Sequence, residues 1–106
     1  MPALLVITNC PDATSADALA SALVEQGLAA CINVLAPCRS IYRWQGEIER
    51  ADEIPLLIKT SADRYGELEA AIQARHPYDV PEIIALPISH GLPDYLQWLA
   101  AETQAN

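Results

Sequence analysis

Hydrophobic positions change their spacing along the chain, and each spacing predicts one type of element. Residues 3–8 form a continuous run rich in Leu, Val and Ile, which ends in the turn-forming residues 9–12. A short apolar run of this kind predicts a buried strand. Apolar side chains then recur at helical spacing over residues 16–24, with Thr14 as the predicted N-cap and Gly27 as the predicted residue beyond the helix end.

The middle of the chain contains no helix start or stop signals. Residues 30–45 read as one long strand with a break at Pro37. Gln45-Gly46 fits a two-residue hairpin turn, and residues 47–60 then form the returning strand. Pro55 has no backbone N–H, so we expect it at a bulge or on an unpaired edge.

The last third predicts a second helix, another strand and a final helix. Ser61 is a predicted cap for the second helix, which ends before Pro77 because the residue before proline avoids the helical region. Residues 82–88 read as a strand, and Pro93 opens the final helix. The order βαββαβ plus a C-terminal helix predicts a single α+β domain, residues 1–106, with a ferredoxin-like antiparallel sheet and both main helices on one face.

This topology leaves two surfaces that need cover. The second face of the sheet is apolar, and nothing in the predicted order covers it. The long hairpin would span roughly 50 Å at about 3.3 Å per residue, whereas a domain of this size has a radius of gyration of about 13 Å. Its outer end carries Tyr42 and Trp44. We therefore expect the hairpin to contact another subunit, with a bent, locally packed strand as the alternative.

Composition and charge exclude several classes of protein. Hydrophobic residues make up 52% of the 106 residues, which is enough for a core, and the net charge is −8. The six basic residues are scattered, so we expect no nucleic-acid partner. No stretch has the length of a membrane span or the character of a signal peptide, so we expect a cytoplasmic protein with no membrane partner. Cys10, Cys31 and Cys38 are then free thiols.

One histidine and one cysteine are candidates for binding a metal ion. His76 lies between a predicted helix and a proline, and a loop histidine with a free ring nitrogen is a common copper or zinc ligand. Cys10, just past the first strand, is its candidate soft partner. We expect His76 to end the helix and to be a weak metal ligand, exposed at the surface. The alternatives are that His76 only ends the helix and that Cys10 is an inert thiol. His90 is the weaker histidine candidate.

A second group of charged residues lies on or beside the strands. Lys59, the single lysine of the sequence, follows an apolar run and should be paired with a carboxylate such as Glu53 or Glu82. A structural ion pair and an active site using Lys59 and Glu53 are both open. The chain has no glycine-rich phosphate loop and no evident Ser/His/Asp arrangement.

Several segments together resemble the CutA family of divalent-cation tolerance proteins. They are ACINV at 30–34, SIYRWQGEI at 40–48, HPY at 76–78 and PEII at 81–84. The resemblance implies a homotrimer of ferredoxin-like subunits, tolerance to divalent metals, copper in particular, and no established reaction.

The resemblance also implies two candidate sites. One is a metal site with a histidine at position 76, although Thr8 and Arg75 depart from the cysteine and histidine of some relatives. The other is a cleft between subunits bordered by Tyr42, Trp44, Glu53, Lys59 and Glu82. The competing functions are weak binding of copper or another divalent metal, a trimeric signalling module similar to the PII regulators that binds a small ligand at the clefts, and an uncharacterised enzyme.

Overall fold

The computed structural model describes residues 2–105. The elements are β1 (Ala3–Cys10), α1 (Ala13–Glu25), β2 (Cys31–Val34), β3 (Cys38–Trp44), β4 (Glu47–Ser61), a 3-10 turn (Ala62–Arg64), α2 (Tyr65–Arg75), β5 (Ile84–Pro87) and α3 (Pro93–Glu102). This order is the predicted one. No helix within residues 2–105 has the length and hydropathy needed to cross a membrane.

The sheet has the predicted ferredoxin-like topology. Its strands run in the order β2-β4-β1-β5, and every neighbouring pair is antiparallel. One face carries α1 and α2, because most even-numbered side chains of β1 and of the inner part of β4 are apolar and meet the apolar stripes of both helices. The fully buried members of this core include Val6, Leu23, Leu56, Ile58, Leu68 and Ile72.

Helix α3 covers part of the opposite face. Leu99 is buried but lies outside the main core cluster. Tyr95 lies near Cys31, and Cys31 points away from α1 and α2 because it alternates with Ile32. Ile84 and Leu86 on β5 stay about half exposed on this face. The apolar second face is therefore only partly covered within one chain.

Strand β4 continues beyond the sheet as half of an exposed ribbon. Its outer part, Glu47–Glu53, pairs only with β3, and the molecule measures 44 × 25 × 23 Å. Gln45 and Gly46 both have positive φ, 51° and 83°, as a type I′ turn requires. The predicted long hairpin and its turn are confirmed.

The predicted break in the long strand is confirmed and lies opposite Pro55. The partners of β4 change from Val34, opposite Leu56, to Cys38, opposite Glu53. Three residues of one strand therefore face two of the other, as in a bulge. The Pro55 carbonyl accepts from Leu35 N at 2.9 Å on this side, so the missing N–H of the proline also points into the break.

Both predicted N-caps were wrong, whereas Gly27 lies directly beyond the C-cap Gln26 of α1, as predicted. The N-cap of α1 is Asp12, whose carboxylate accepts from Ser15 N at 2.8 Å, so Thr14 lies inside the helix. Ser61 makes no capping bond, because its hydroxyl pairs with Thr103 of α3. Asp12 caps the helix in place of Thr14 because its carboxylate oxygen reaches the backbone N–H three residues ahead. The negative charge is also stabilised by the positive N-terminal end of the helix dipole.

Strand β5 is shorter than the predicted 82–88. Its pairing with β1 starts at Ile84, opposite Ile7. Two positions further outward, Asn9 and Glu82 are joined through their side chains, with Asn9 Nδ2 donating to Glu82 Oε1 at 3.2 Å. A side-chain bond thus replaces the backbone ladder at this corner of the sheet.

We expect opposite stability effects from alanine at two glycines. Gly27 has φ +70° and Gly66 lies in α2 with open space around its Cα. Gly27→Ala should lower the free energy of unfolding by about 1 kcal/mol, because alanine is strained at positive φ. Gly66→Ala should raise it by up to about 1 kcal/mol, because alanine favours the helix. Urea unfolding of both variants at one protein concentration measures this; equal effects of the same sign would contradict it.

Candidate functional site

A cleft of about 640 Å³ opens where the ribbon leaves the sheet. It lies between the base of the ribbon and the loop that follows α2. Four of the five predicted cleft residues line it: Tyr42, Trp44, Glu53 and Glu82. Its other walls are Asn9, Ser40, Ile41, Tyr78, Asp79 and Val80. The structure thus brings together residues from four separate segments of the chain.

Glu53 is the one buried residue among those that line this cleft. It is the last residue of β4 that pairs with β3, and only 8% of it is exposed. Tyr78 Oη donates a hydrogen bond to Glu53 Oε2 at 3.1 Å. Burial first, and then this bond to Glu53, raise the pKa of Tyr78 to about 12. The phenol therefore keeps its proton at physiological pH and remains the donor.

His76 positions Tyr78. Its backbone N–H still bonds the Ile72 carbonyl at 2.8 Å, but its ψ of 137° turns the chain out of α2. The ring then bridges two segments: Nε2 lies 2.6 Å from the Asn9 carbonyl and Nδ1 accepts from Tyr78 N at 3.1 Å. Since a carbonyl accepts, Nε2 carries the proton and Nδ1 is the free base. The imidazole therefore ties the end of α2 to the end of β1 and orients the next residues toward the cleft.

The prediction of an exposed His76 was wrong, because only 8% of the residue is exposed. The prediction that it ends the helix is confirmed. Both ring nitrogens have hydrogen-bond partners, so a metal ion would have to displace one of them. The role of His76 as a ligand stays a prediction.

Cys10 does not lie beyond the first strand, as predicted, but is its last residue and is 1% exposed. Burial first, and then the negative charges of Asp12 and Glu53, raise the pKa of its thiol to about 11. Copper and zinc bind the thiolate, of which about one part in ten thousand is present at pH 7 with such a pKa. Within residues 2–105, no three His, Cys, Asp or Glu side chains are grouped so that they could hold a metal ion. His76 and Cys10 therefore do not fit a preformed metal centre.

Lys59 lies away from the cleft. It is six positions from Glu53 on β4, a distance of about 20 Å along a strand. Its ammonium group donates to the side-chain oxygen of Asn33 and lies 3.9 Å from Cys31 Sγ. The predicted carboxylate partner was wrong, because the register of β2 and β4 places Cys31 opposite Lys59 with Asn33 diagonally next to it. One chain therefore does not bring Lys59 and Glu53 together as a catalytic pair.

The sequence did not indicate the other six lining residues, among them Asn9, Tyr78 and Asp79. Tyr78 lies within the HPY segment, in which the histidine is the more typical ligand residue. Its bond to Glu53 joins residues 25 positions apart, and no local pattern encodes a contact of that range. Pro77 and Pro81 are the local feature that indicated this part of the cleft, since both favour an extended loop that can reach back to the sheet.

Comparison with known proteins gives consistent matches over nearly the whole chain. The family profile described as "CutA1 divalent ion tolerance protein" matches residues 4–102. The Divalent-cation tolerance protein CutA of Thermus thermophilus is 46% identical over 99 residues, which are 93% of this chain and 96% of that protein. The chloroplastic Protein CutA of Arabidopsis thaliana is 38% identical over 98% of this chain and 57% of its own length.

Solved structures agree with this match. The divalent cation tolerance protein of Thermus thermophilus has a TM-score of 0.94 at 44% identity, covering 96% of this chain and 99% of that chain. CutA1 from Oryza sativa has a TM-score of 0.96 at 36% identity, covering 100% of this chain and 97% of that chain.

The burial of Cys10 predicts a pH-dependent thiol. In the native protein at pH 8, Ellman's reagent should label the exposed Cys38 and leave Cys10 unmodified, because Cys10 is both buried and protonated. The raised pKa of Cys10 contributes stability that is complete below pH 9 and is lost as the pH rises through about 11. Peptide mass spectrometry after labelling, with Cys38→Ser as the control, measures the reactivity. Labelling of Cys10 at pH 8 as fast as that of Cys38 would contradict the burial of this thiol.

Proposed function

Because this chain belongs to the CutA1 divalent ion tolerance family, we propose that it contributes to the response to divalent metal ions as a homotrimer that binds a small ligand in the cleft beside Glu53. The cleft is the observation that carries this proposal. The family and its relatives are named for tolerance to cations and not for a reaction. A binding protein that signals or sequesters fits that description better than an enzyme does.

The cleft has the features of a site for a small molecule. Its volume of about 640 Å³ falls in the range of about 300–1,000 Å³ that is typical of ligand pockets. The rings of Tyr42, Trp44 and Tyr78 supply much of its wall, and a few polar groups are held in place. Among these, Glu53 is fixed by Tyr78, and Glu82 accepts from Asn9. Fixed polar groups between apolar walls give a ligand both affinity and orientation.

The two faces of the ribbon support self-association. Directly paired residues of β3 and β4 project to the same face. The basic face of the ribbon consists of Arg39, Ile41, Arg43, Ile48 and Arg50, together with Asp52. The acidic face consists of Tyr42, Trp44, Glu47, Glu49 and Glu53, together with the small side chains between them. One face of the ribbon is therefore complementary in charge to the other.

Complementary but different faces favour a closed ring of copies. The basic face of one copy cannot lie on itself, but it can lie on the outer part of the acidic face of the next copy, at Glu47 and Glu49, which do not line the cleft. This is a head-to-tail arrangement. The basic face also carries an exposed apolar side chain outside the cleft, since 51% of Ile48 is accessible in the single chain. Burial of such side chains is the main driving force for association. Association would also bury the half-exposed Ile84 and Leu86 on the partly covered face of the sheet, which is a second contribution to its free energy.

Direct copper binding through His76 and Cys10 stays a prediction of the sequence, and the geometry described above supports only weak binding. Coordination has to break a hydrogen bond of His76 and to remove a proton from a buried thiol. Titration of the metal-free protein with Cu(II), Cu(I) and Zn(II) tests this role, with His76→Ala and His90→Ala as a matched pair.

The ligand cleft is tested by a panel of small metabolites in a thermal-shift assay. Compounds that stabilise the wild type should lose about tenfold or more in affinity in Tyr42→Ala, because a cleft wall is removed. They should keep their affinity in Tyr95→Ala, which truncates a tyrosine of similar exposure on α3. The proposed function is wrong if no compound of the panel stabilises the protein, or if every stabilising compound binds Tyr42→Ala with the same affinity as the wild type.

The trimer is tested by light scattering coupled to size exclusion. The wild type should have three times the chain mass of 11.5 kDa. Arg43→Glu should weaken the trimer, since it places a carboxylate of the basic face against the neighbouring acidic face. Arg75→Glu, at the end of α2 and outside the ribbon, should leave the mass unchanged. A wild-type monomer at micromolar concentration, or equal behaviour of the two variants, would exclude the head-to-tail ribbon contact.

A further inference from the structure

We propose that the ligand of the cleft is an organic cation, a protonated amine or guanidinium group carried on a flat or apolar body. This inference rests on the proposed function, since it names the chemical class of ligand for the same cleft. It follows from three properties of the cleft: the sign of its charge, the unpaired state of its buried carboxylate, and its aromatic walls.

The charges around the cleft all have one sign. Glu53, Asp79 and Glu82 carry its carboxylates, and none of the described residues that line it is Lys, Arg or His. A concave site with low-dielectric walls concentrates the field of such charges. The cleft therefore attracts cations and repels anions such as phosphates, which would otherwise be common ligands of a signalling protein.

Glu53 supplies the specific anchor. More than nine-tenths of it is buried, and in the part of the chain that the structure describes, the salt bridge is between Arg64 and Glu67, so Glu53 has no cationic partner there. Buried carboxylates are rarely left without a counter-charge, because desolvation of the charge is costly. Tyr78 satisfies one carboxylate oxygen through Oε2. A cationic donor entering the cleft would satisfy the other and neutralise the charge.

The aromatic side chains define the rest of the ligand. Tyr42, Trp44 and Tyr78 line the cleft around the carboxylates. The face of an aromatic ring attracts an ammonium or guanidinium group, most strongly for tryptophan, and also packs against an apolar body. A hydrated metal ion would use the carboxylates but not the rings. The combination of a buried carboxylate with three rings therefore favours an organic cation over an inorganic one.

A side chain from a second copy is the competing occupant. Arg39, Arg43 and Arg50 all lie on the basic face of the ribbon, and none of them lines the cleft of its own chain. A cavity of about 640 Å³ has the size that accepts a whole drug-sized molecule, which is more than one arginine side chain fills. We therefore assign the cleft to a free ligand and treat insertion of a neighbouring arginine as an outcome of the test.

Three probes of similar size and different charge test the inference. They are phenethylamine, 2-phenylethanol and phenylacetate, titrated by calorimetry and by NMR into the full-length wild type, Glu53→Gln, Asp79→Asn and Glu102→Gln. The wild type should bind the amine about tenfold or more tightly than the alcohol, because a charge-assisted hydrogen bond is stronger than a neutral one, and the acid least. Glu53→Gln should abolish that preference, and Asp79→Asn, in an exposed loop, should reduce it. Glu102→Gln on α3, outside the cleft, should leave it unchanged. Added salt should lower the affinity for the amine and not for the alcohol or the acid.

The outcomes separate this inference from the proposed function. If the alcohol or the acid binds as tightly as the amine, or if Glu53→Gln keeps the preference, the ligand is not a cation, although the cleft still binds a ligand. If none of the probes binds while Glu53→Gln lowers the stability of the trimer, the carboxylate belongs to the subunit contact and the inference is overturned. If neither these probes nor the metabolite panel gives a cleft-dependent hit, the proposed function is itself wrong.

Discussion

The change of partner along β4 is the constraint on which the other features depend. Its inner half pairs with β1 on one side and β2 on the other, whereas its outer half pairs with β3 alone. Pro55 marks the transition, because a residue without a backbone N–H can lie where the partner strand is interrupted. A ribbon that leaves a sheet at this point creates a concave corner, and the cleft occupies it. Glu53 is buried because it is the first residue on the outer side of that corner.

The corner would stay open without the loop after α2, and one imidazole holds this loop in place. His76 binds the Asn9 carbonyl and the backbone N–H of Tyr78 in its neutral form. These bonds connect the end of α2, the end of β1 and the wall of the cleft. Tyr78 then reaches Glu53, and the raised pKa of its phenol keeps it a donor. The histidine thus affects the cleft by positioning Tyr78 and not by contacting what enters.

The charge of the chain is distributed with more order than its net value of −8 suggests. Three of the six basic residues lie on one face of the ribbon, while the acidic face opposes them with glutamates and aromatic rings. The same pattern serves two purposes in the proposal. On the outer ribbon it gives copies of the chain complementary surfaces, and at the base of the ribbon it leaves a carboxylate that lacks a counter-ion within the described part of the chain.

The sequence by itself determined the elements of this fold and their order. The apolar runs, the helical spacing, the Gln45-Gly46 turn and the break near Pro37 are encoded within a few residues, where backbone preferences and side-chain periodicity act directly. It also indicated the cleft residues Tyr42, Trp44, Glu53 and Glu82, through the motifs that resemble the CutA family. Tertiary structure alone decided the surroundings of each chemical group. His76 is buried and bonded to Asn9, Cys10 is a protonated thiol in the core, and Lys59 is held by Asn33. Each of these results joins residues more than twenty positions apart or depends on how deeply a strand end is covered. Strand register and helix packing determine these long-range contacts and this burial, and the local sequence pattern around each residue does not encode them.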